Sequence, residues 1–221
     1  MKKTLIIAAV FAFMFSCKQK EEKKAIEKNL STAEKIANAN GFENWKNVSE
    51  LQFTFNVDKD TTHFERSWTW HPKTEDVMMV SGKDTVTYNR KAVDSLSMSA
   101  DKAFINDKYW LLAPFQLIWD TSATISETSV VESPINKAQL NKITITYPNE
   151  GGYTPGDAYD LYYGDDFLIK EWIYRKGNSK EPSMMTSWEG YEDFNGIKIA
   201  KTHKRPNENW RLHFTNIKVV K

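Results

Sequence analysis

The chain of 221 residues has a single cysteine, Cys17, which excludes an intramolecular disulfide and any metal centre built on several thiolates. An excess of one charge is missing too. Thirty basic and 29 acidic residues give a formal net charge of +1, so nothing long-ranged draws the chain to nucleic acid. No apolar run approaches the roughly 20 residues that a membrane-spanning helix needs. Nucleophile elbows of the Gly-x-Ser-x-Gly type and His-Glu-x-x-His zinc motifs are absent. Gly151-Gly152 and Gly156 match neither phosphate-binding glycine pattern. No motif calls for a cofactor, and the expected class is non-enzymatic.

What is present begins with an address. Residues 1–17 read MKKTLIIAAVFAFMFSC, with two lysines, an apolar run from Leu5 to Phe15, small Ser16 and then Cys17. This is the order of a secretory signal peptide, and the run of about 11 residues is too short to span a bilayer. Met14-Phe15-Ser16-Cys17 resembles the lipobox of bacterial lipoproteins, departing from it at bulky Phe15. The resemblance implies removal of residues 1–16 and diacylglycerol on the Cys17 thiol, making the membrane the first expected partner. Residues 17–29 are polar and mixed in charge, with too little apolar surface to offset the entropy of ordering, and read as a tether. Lys18 rather than Asp follows Cys17, which fails to match inner-membrane retention signals and favours the outer membrane, on its periplasmic or cell-surface face. Lys20-Glu21-Glu22 is similar to a surface-export signal of Bacteroidota lipoproteins.

From residue 30 the chain reads as one β-rich domain to residue 221. Ser31 and Glu34 have capping-box spacing ahead of Ala33, Ile36 and Ala37, a helix that Asn40-Gly41 ends. Alternation of period two then takes over. Leu51, Phe53, Phe55 and Val57 share one face, as do Phe64, Arg66, Trp68 and Trp70. Ser81-Gly82-Lys83-Asp84, Gly164-Asp165-Asp166 and Glu192–Gly196 supply turns. In the last run Trp210, Leu212 and Phe214 lie on one face and Ile217 and Val219 on the other, so a bulge is expected near Asn216. The class is mainly β (α+β): a curled antiparallel sheet or open half-barrel of about 10–11 strands, with an N-terminal helix and a central helical insertion. That insertion, residues 97–120, starts helical, becomes strongly apolar at Tyr109–Leu112 and is interrupted by Pro114. The concave face of the sheet is the partner available to it.

A signal segment and lipobox, a helical start, a long meander and an apolar helical insertion together look like the LolA/LolB-type group. More narrowly the chain resembles a family of Bacteroidota lipoproteins. The stretches that carry this are Ala37–Trp45, Tyr109–Asp120 and Gly151–Tyr163 leading into Phe167–Tyr174. The resemblance implies a half-barrel covered by helices around an apolar cavity for acyl chains, and no catalytic residues.

Eight residues form the candidate site for a lipid or acyl chain: Trp68, Trp70, Trp110, Leu112, Phe115, Trp172, Trp188 and Trp210. The same residues serve equally to fill a core, which would suit an envelope interaction or scaffold module. Hydrolase chemistry is the weaker alternative, resting on carboxylate pairs such as Glu189 and Glu192. His63 and His71 would lie roughly 27 Å apart along one strand, too far to share a metal. His203 and His213 fall on neighbouring strands with no third ligand at obvious spacing. Asp157, Asp160, Asp165 and Asp166 lack EF-hand spacing and read as turn residues. At ~0.8 kcal/mol per buried methylene, two or three acyl chains on Cys17 make release from a membrane negligible. Cys17→Ser is therefore expected to abolish labelling by radioactive palmitate and to move the protein into the soluble fraction.

Overall fold

The structure is a computed structural model and describes residues 30–151 and 154–221. The signal segment, Cys17 and the tether lie outside the described residues. Helices α1 (Thr32–Ala39) and α2 (Phe42–Trp45) come first, followed by β1 (Glu50–Lys59), β2 (Thr62–His71), β3 (Asp76–Ser81) and β4 (Asp84–Asn89). The insertion is α3 (Met98–Trp119). After it come β5 (Thr124–Ile125), β6 (Ser129–Glu132), β7 (Gln139–Thr146), β8 (Ala158–Tyr163), β9 (Ile169–Arg175) and β10 (Met184–Ser187). The chain ends in β11 (Glu189–Phe194), β12 (Ile197–Lys204) and β13 (Trp210–Val220).

One sheet has the order β11-β12-β13-β1-β2-β3-β4, the other β10-β9-β8-β7-β5, with β6 also on β7. Every pairing within them is antiparallel. The sheets do not close into a barrel. Two differences from the sequence reading raise the number of strands among the described residues to 13. The run expected to continue from Met184 to Tyr191 breaks at Trp188, where β10 stays on β9 and β11 leaves to pair with β12. In addition, β5 and β6 are too short and too exposed to show an alternating pattern. The seam is stitched by the Lys204 amide, which donates to Ser187 Oγ at 3.1 Å, and by the Trp188 amide, which donates to the Lys170 carbonyl at 2.8 Å.

Local chemistry accounts for the ends and turns. Ser31 Oγ accepts from the Glu34 amide at 3.2 Å, and Glu34 accepts from the Ser31 amide at 2.8 Å, completing the capping box. Asn195 and Gly196 both have positive φ (56° and 81°), as a two-residue Asn-Gly hairpin requires. The α1–α2 corner docks on that hairpin so closely that a Cβ on Gly41 would lie 1.9 Å from the Gly196 carbonyl oxygen. Asn216, at φ +51°, forms the expected bulge opposite Gln52–Thr54, which returns Val219 to the core.

Helix α3 lies in the concave space, with Phe104, Tyr109, Leu111, Leu112 and Phe115 almost wholly buried. Pro114 kinks it rather than ending it. Leu112 leaves the helical region (φ −126°, ψ 28°) because proline has no amide hydrogen and its ring crowds the carbonyl four residues back. None of the described helices is long and apolar enough to cross a membrane. Of the polar contacts that tie α3 to the strands, the one at Asp107 is fully buried, whereas Asp101 is held at the edge by Tyr88 and Arg90. The fully buried Asp107 carboxylate accepts from Arg66 Nε and Nη2 at 2.9 and 2.8 Å, and from Trp68 Nε1 at 2.8 Å. Burial pushes this carboxyl up, while Arg66, Asn106 and Trp68 pull it back. Removing one partner of such a pair strands a charge in the core. Asp107→Ala should therefore cost about 3–5 kcal/mol, read as a lowered midpoint in urea unfolding. An Arg66→Met/Asp107→Leu double variant should recover most of the loss.

Candidate functional site

The eight residues nominated from sequence join two packed groups, with Leu112 buried at the helix kink. In the first, Trp68 and Trp70 lie with ring centres 5.3 and 5.4 Å from Phe104. Trp45 meets both Trp70 (5.4 Å) and Phe115 (5.7 Å). In the second, Trp110 lies 4.4 Å from Trp172 and 6.4 Å from Trp210, and Trp172 lies 5.3 Å from Trp188. Seven of the eight are buried, and Trp210 is half-buried. The latter part of α3 is thus enclosed by aromatic rings of both sheets.

Space lies elsewhere, beside the first turns of the same helix. Ser99, Ala100 and Ala103 present short side chains toward Phe64, Arg66, Met79 and Val86 of β2, β3 and β4, and leave an open cleft of about 560 Å³. That volume falls within the roughly 300–1,000 Å³ of small-molecule sites. Lys83 and Asp84 stand at its rim and Leu96 at its mouth. Leu96 is 86% exposed and Phe64 44% exposed, an arrangement that costs hydration free energy until something apolar covers them. The Arg66 guanidinium forms one wall, 4.9 Å from the Phe64 ring centre and bound behind to Asp107. The cleft is mixed in character: Phe64, Met79, Val86, Leu96, Ala100 and Ala103 form an apolar strip, and Arg66, Ser81, Lys83, Asp84, Thr85 and Ser99 supply the polar remainder.

None of the cleft residues was nominated from sequence, because aromatic density points to where chains pack, not to where packing stops. A signal existed. Ala100 and Ala103 sit three apart on a helix whose next turns carry Phe, Tyr, Trp and Leu, so one end of its face is too small to fill the sheet's concavity.

The other candidates fall in structural roles. His63, Arg211 and His213 converge on Asp58 on the outer face of β1, β2 and β13, at 2.7, 2.6 and 3.0 Å. Hydrogen bonds from His63 and then Arg211 hold the Asp58 carboxyl down at about 2. Asp58 likewise raises His63, whereas burial lowers His213. His71 lies at the other end of β2. Among the described residues, no group of three or more His, Cys, Asp or Glu is placed to hold a metal. Asp157 accepts from the Gly177 amide and the Tyr174 hydroxyl, Asp160 binds Arg175, and Asp166 binds Lys170. Glu189 and Glu192 are each engaged by a lysine, Lys204 and Lys201.

No protein-family model matches the chain, and no curated protein matches it. Among solved structures it is similar to a LolA superfamily protein from Nitrosomonas europaea, with 9% identity and a TM-score of 0.48, over 87% of this chain and 95% of that one. It is also similar to a DUF1329 family protein from Desulfovibrio piger, with 10% identity and a TM-score of 0.44, over 85% and 91% of the two chains. A third likeness is to a domain named for outer membrane lipoprotein sorting from Vibrio parahaemolyticus, with 8% identity and a TM-score of 0.42, over 85% and 93%. At these values the likenesses concern arrangement, and function is read from the residues.

His203 sits at the centre of the second aromatic group, 4.4 Å from Trp188 and 5.3 Å from Trp110. One ring nitrogen, Nδ1, faces the Ser187 carbonyl at 3.3 Å, so the neutral ring carries its proton there. Burial pushes its pKa down to about 3, while an unfolded chain returns it to ~6.5. The unfolded state therefore binds the proton first, and stability must fall as pH drops from ~6.5 toward 3, by up to about 1.4 kcal/mol per pH unit. In a denaturant series between pH 7 and 4.5, the slope for His203→Gln should be shallower than for the unaltered chain by about 1 kcal/mol per pH unit on average.

Proposed function

We propose that this chain is a non-enzymatic lipoprotein of the bacterial envelope, anchored through Cys17 to the outer membrane, whose half-barrel carries an apolar ligand such as a lipid or acyl chain. The observation that supports this best is the cleft beside the first turns of α3, where exposed Phe64 and Leu96 flank a floor of Met79, Val86, Ala100 and Ala103. Burying methylenes against these surfaces supplies affinity at about 25 cal/mol per Å². The signal segment and lipobox-like ending of the sequence would bring the cleft to a membrane, where such ligands are found. An interaction or scaffold role is the second reading, and what favours it is the packing of the eight aromatic and aliphatic residues into the core.

The test is to fill the cleft without touching the core. Ala103→Trp, projecting into the open space, should weaken uptake of a fluorescent fatty acid by at least about tenfold, or 1.4 kcal/mol, with thermal unfolding unchanged. Native mass spectrometry of the unaltered protein should show co-purified lipid. Neither lipid nor uptake in the unaltered chain would remove the carrier reading and leave the scaffold.

A further inference from the structure

Arginines of this fold differ in what meets the guanidinium once an aspartate has been bound. Arg175 turns Nε and Nη2 to Asp160 at 3.0 and 3.2 Å, and its Nη1 donates to Asn178 Oδ1 at 2.6 Å and to the Ser179 carbonyl at 2.9 Å. Arg90 reaches two carboxylates at once, Asp101 through Nε and Glu75 through Nη1, each at 3.1 Å. Arg66 grips Asp107 with the same two nitrogens that Arg175 uses, yet no acceptor among the described residues meets its Nη1. The Arg66 side chain is 21% exposed, and the space it opens on is the cleft, of which it forms a wall. The rings of Phe55 and Phe64, with centres 5.6 and 4.9 Å away, hold the guanidinium in place. A nitrogen with two N–H donors is therefore fixed beside an open volume before any ligand arrives.

We infer that the cleft takes a single-chain amphiphile with a carboxylate head, a fatty acid, and that Arg66 Nη1 receives the carboxylate. This rests on the reading of the cleft as an acyl-chain site and names the class of ligand that the site selects. Arg66, Lys83 and Ser99 suit a polar head, and Met79, Val86 and Leu96 suit a chain. A ligand without a head would bury those polar groups unpaired. Charge sets the limit. Arg66 and Lys83 are balanced by Asp107 and Asp84, so one negative charge is accommodated, whereas a phosphate dianion would face two carboxylates. Arg90, held between Glu75 and Asp101, shows in the same molecule that one guanidinium serves two carboxylates. The volume of about 560 Å³ is that of one drug-sized ligand, hence of one chain.

Competition against the fluorescent fatty acid on the full chain compares decanoate with decanol, which has the same chain length and no charge. Decanoate should bind at least about tenfold more tightly, as a hydrogen bond to a charged group allows. Arg66→Met/Asp107→Leu removes the guanidinium together with the carboxylate it would otherwise strand, so the fold should persist while the preference for the acid falls to about onefold. Equal binding of acid and alcohol by the unaltered chain, or an undiminished preference in the double variant, would overturn the carboxylate site and leave the cleft an acyl-chain site. Binding of neither would remove both readings. If the double variant does not fold, the side-chain nitrogen resonances of Arg66 in isotope-labelled unaltered protein decide. Decanoate should shift them and decanol should not, and resonances that decanoate leaves unmoved would sink the site.

Discussion

The architecture depends on how a helix whose latter half is apolar on nearly every side is held in register inside a curled sheet. Dispersion and burial are non-directional and would let α3 slide or rotate among similar rings. The Asp107 carboxylate removes that freedom, because Arg66 grips it with a two-pronged fork while Trp68 donates to the same oxygen as Arg66 Nε. Taking this charge out of water is costly and is balanced only in this geometry. Position follows from it. With Asp107 fixed over β2, the turn behind it sets Ala103 and Ala100 opposite Phe64 and Met79, and the turn ahead drives Leu111 and Phe115 into the core.

The same helix therefore carries two opposite packing regimes. Its latter half meets rings from both sheets and is enclosed, even across the kink at Leu112. Its first half offers methyl and hydroxymethyl groups to a concavity built for larger ones, and a cleft results. The seam between the sheets adds to this division. It passes beside Trp188 and His203, where two sheets that share no ladder are joined by Ser187 and its neighbours. An imidazole sealed there among indoles is uncharged and behaves as another aromatic wall.

Much of the fold was legible in the residues. Capping at Ser31 and Glu34, the Asn195-Gly196 turn and the bulge at Asn216 are local effects, set by short-range sterics and hydrogen bonds that the sequence states directly. Alternation located the long strands for the same reason. It ran through Trp188 without a break, because both sides of the seam continue to place aromatic residues inward, and it passed over β5 and β6, which bury almost nothing. The site was less legible. Trp68, Trp110 and Trp172 announced an apolar interior, but filling and lining use the same residue types. Arg66 shared an apolar face with Trp68 and Trp70, and no local pattern pointed to Asp107 as its partner.

By itself the sequence determined the class of fold, the periodicity of its faces, the apolar character of the insertion and the address-like pattern ending at Cys17, all of which depend on neighbours along the chain. Which rings touch, where the sheet divides, and where a volume is left unfilled were decided by tertiary structure. Those are sums over residues far apart in sequence, such as Phe64 with Ala103 or Trp45 with Trp119. A void belongs to no residue, and appears only when the surfaces around it have been brought together.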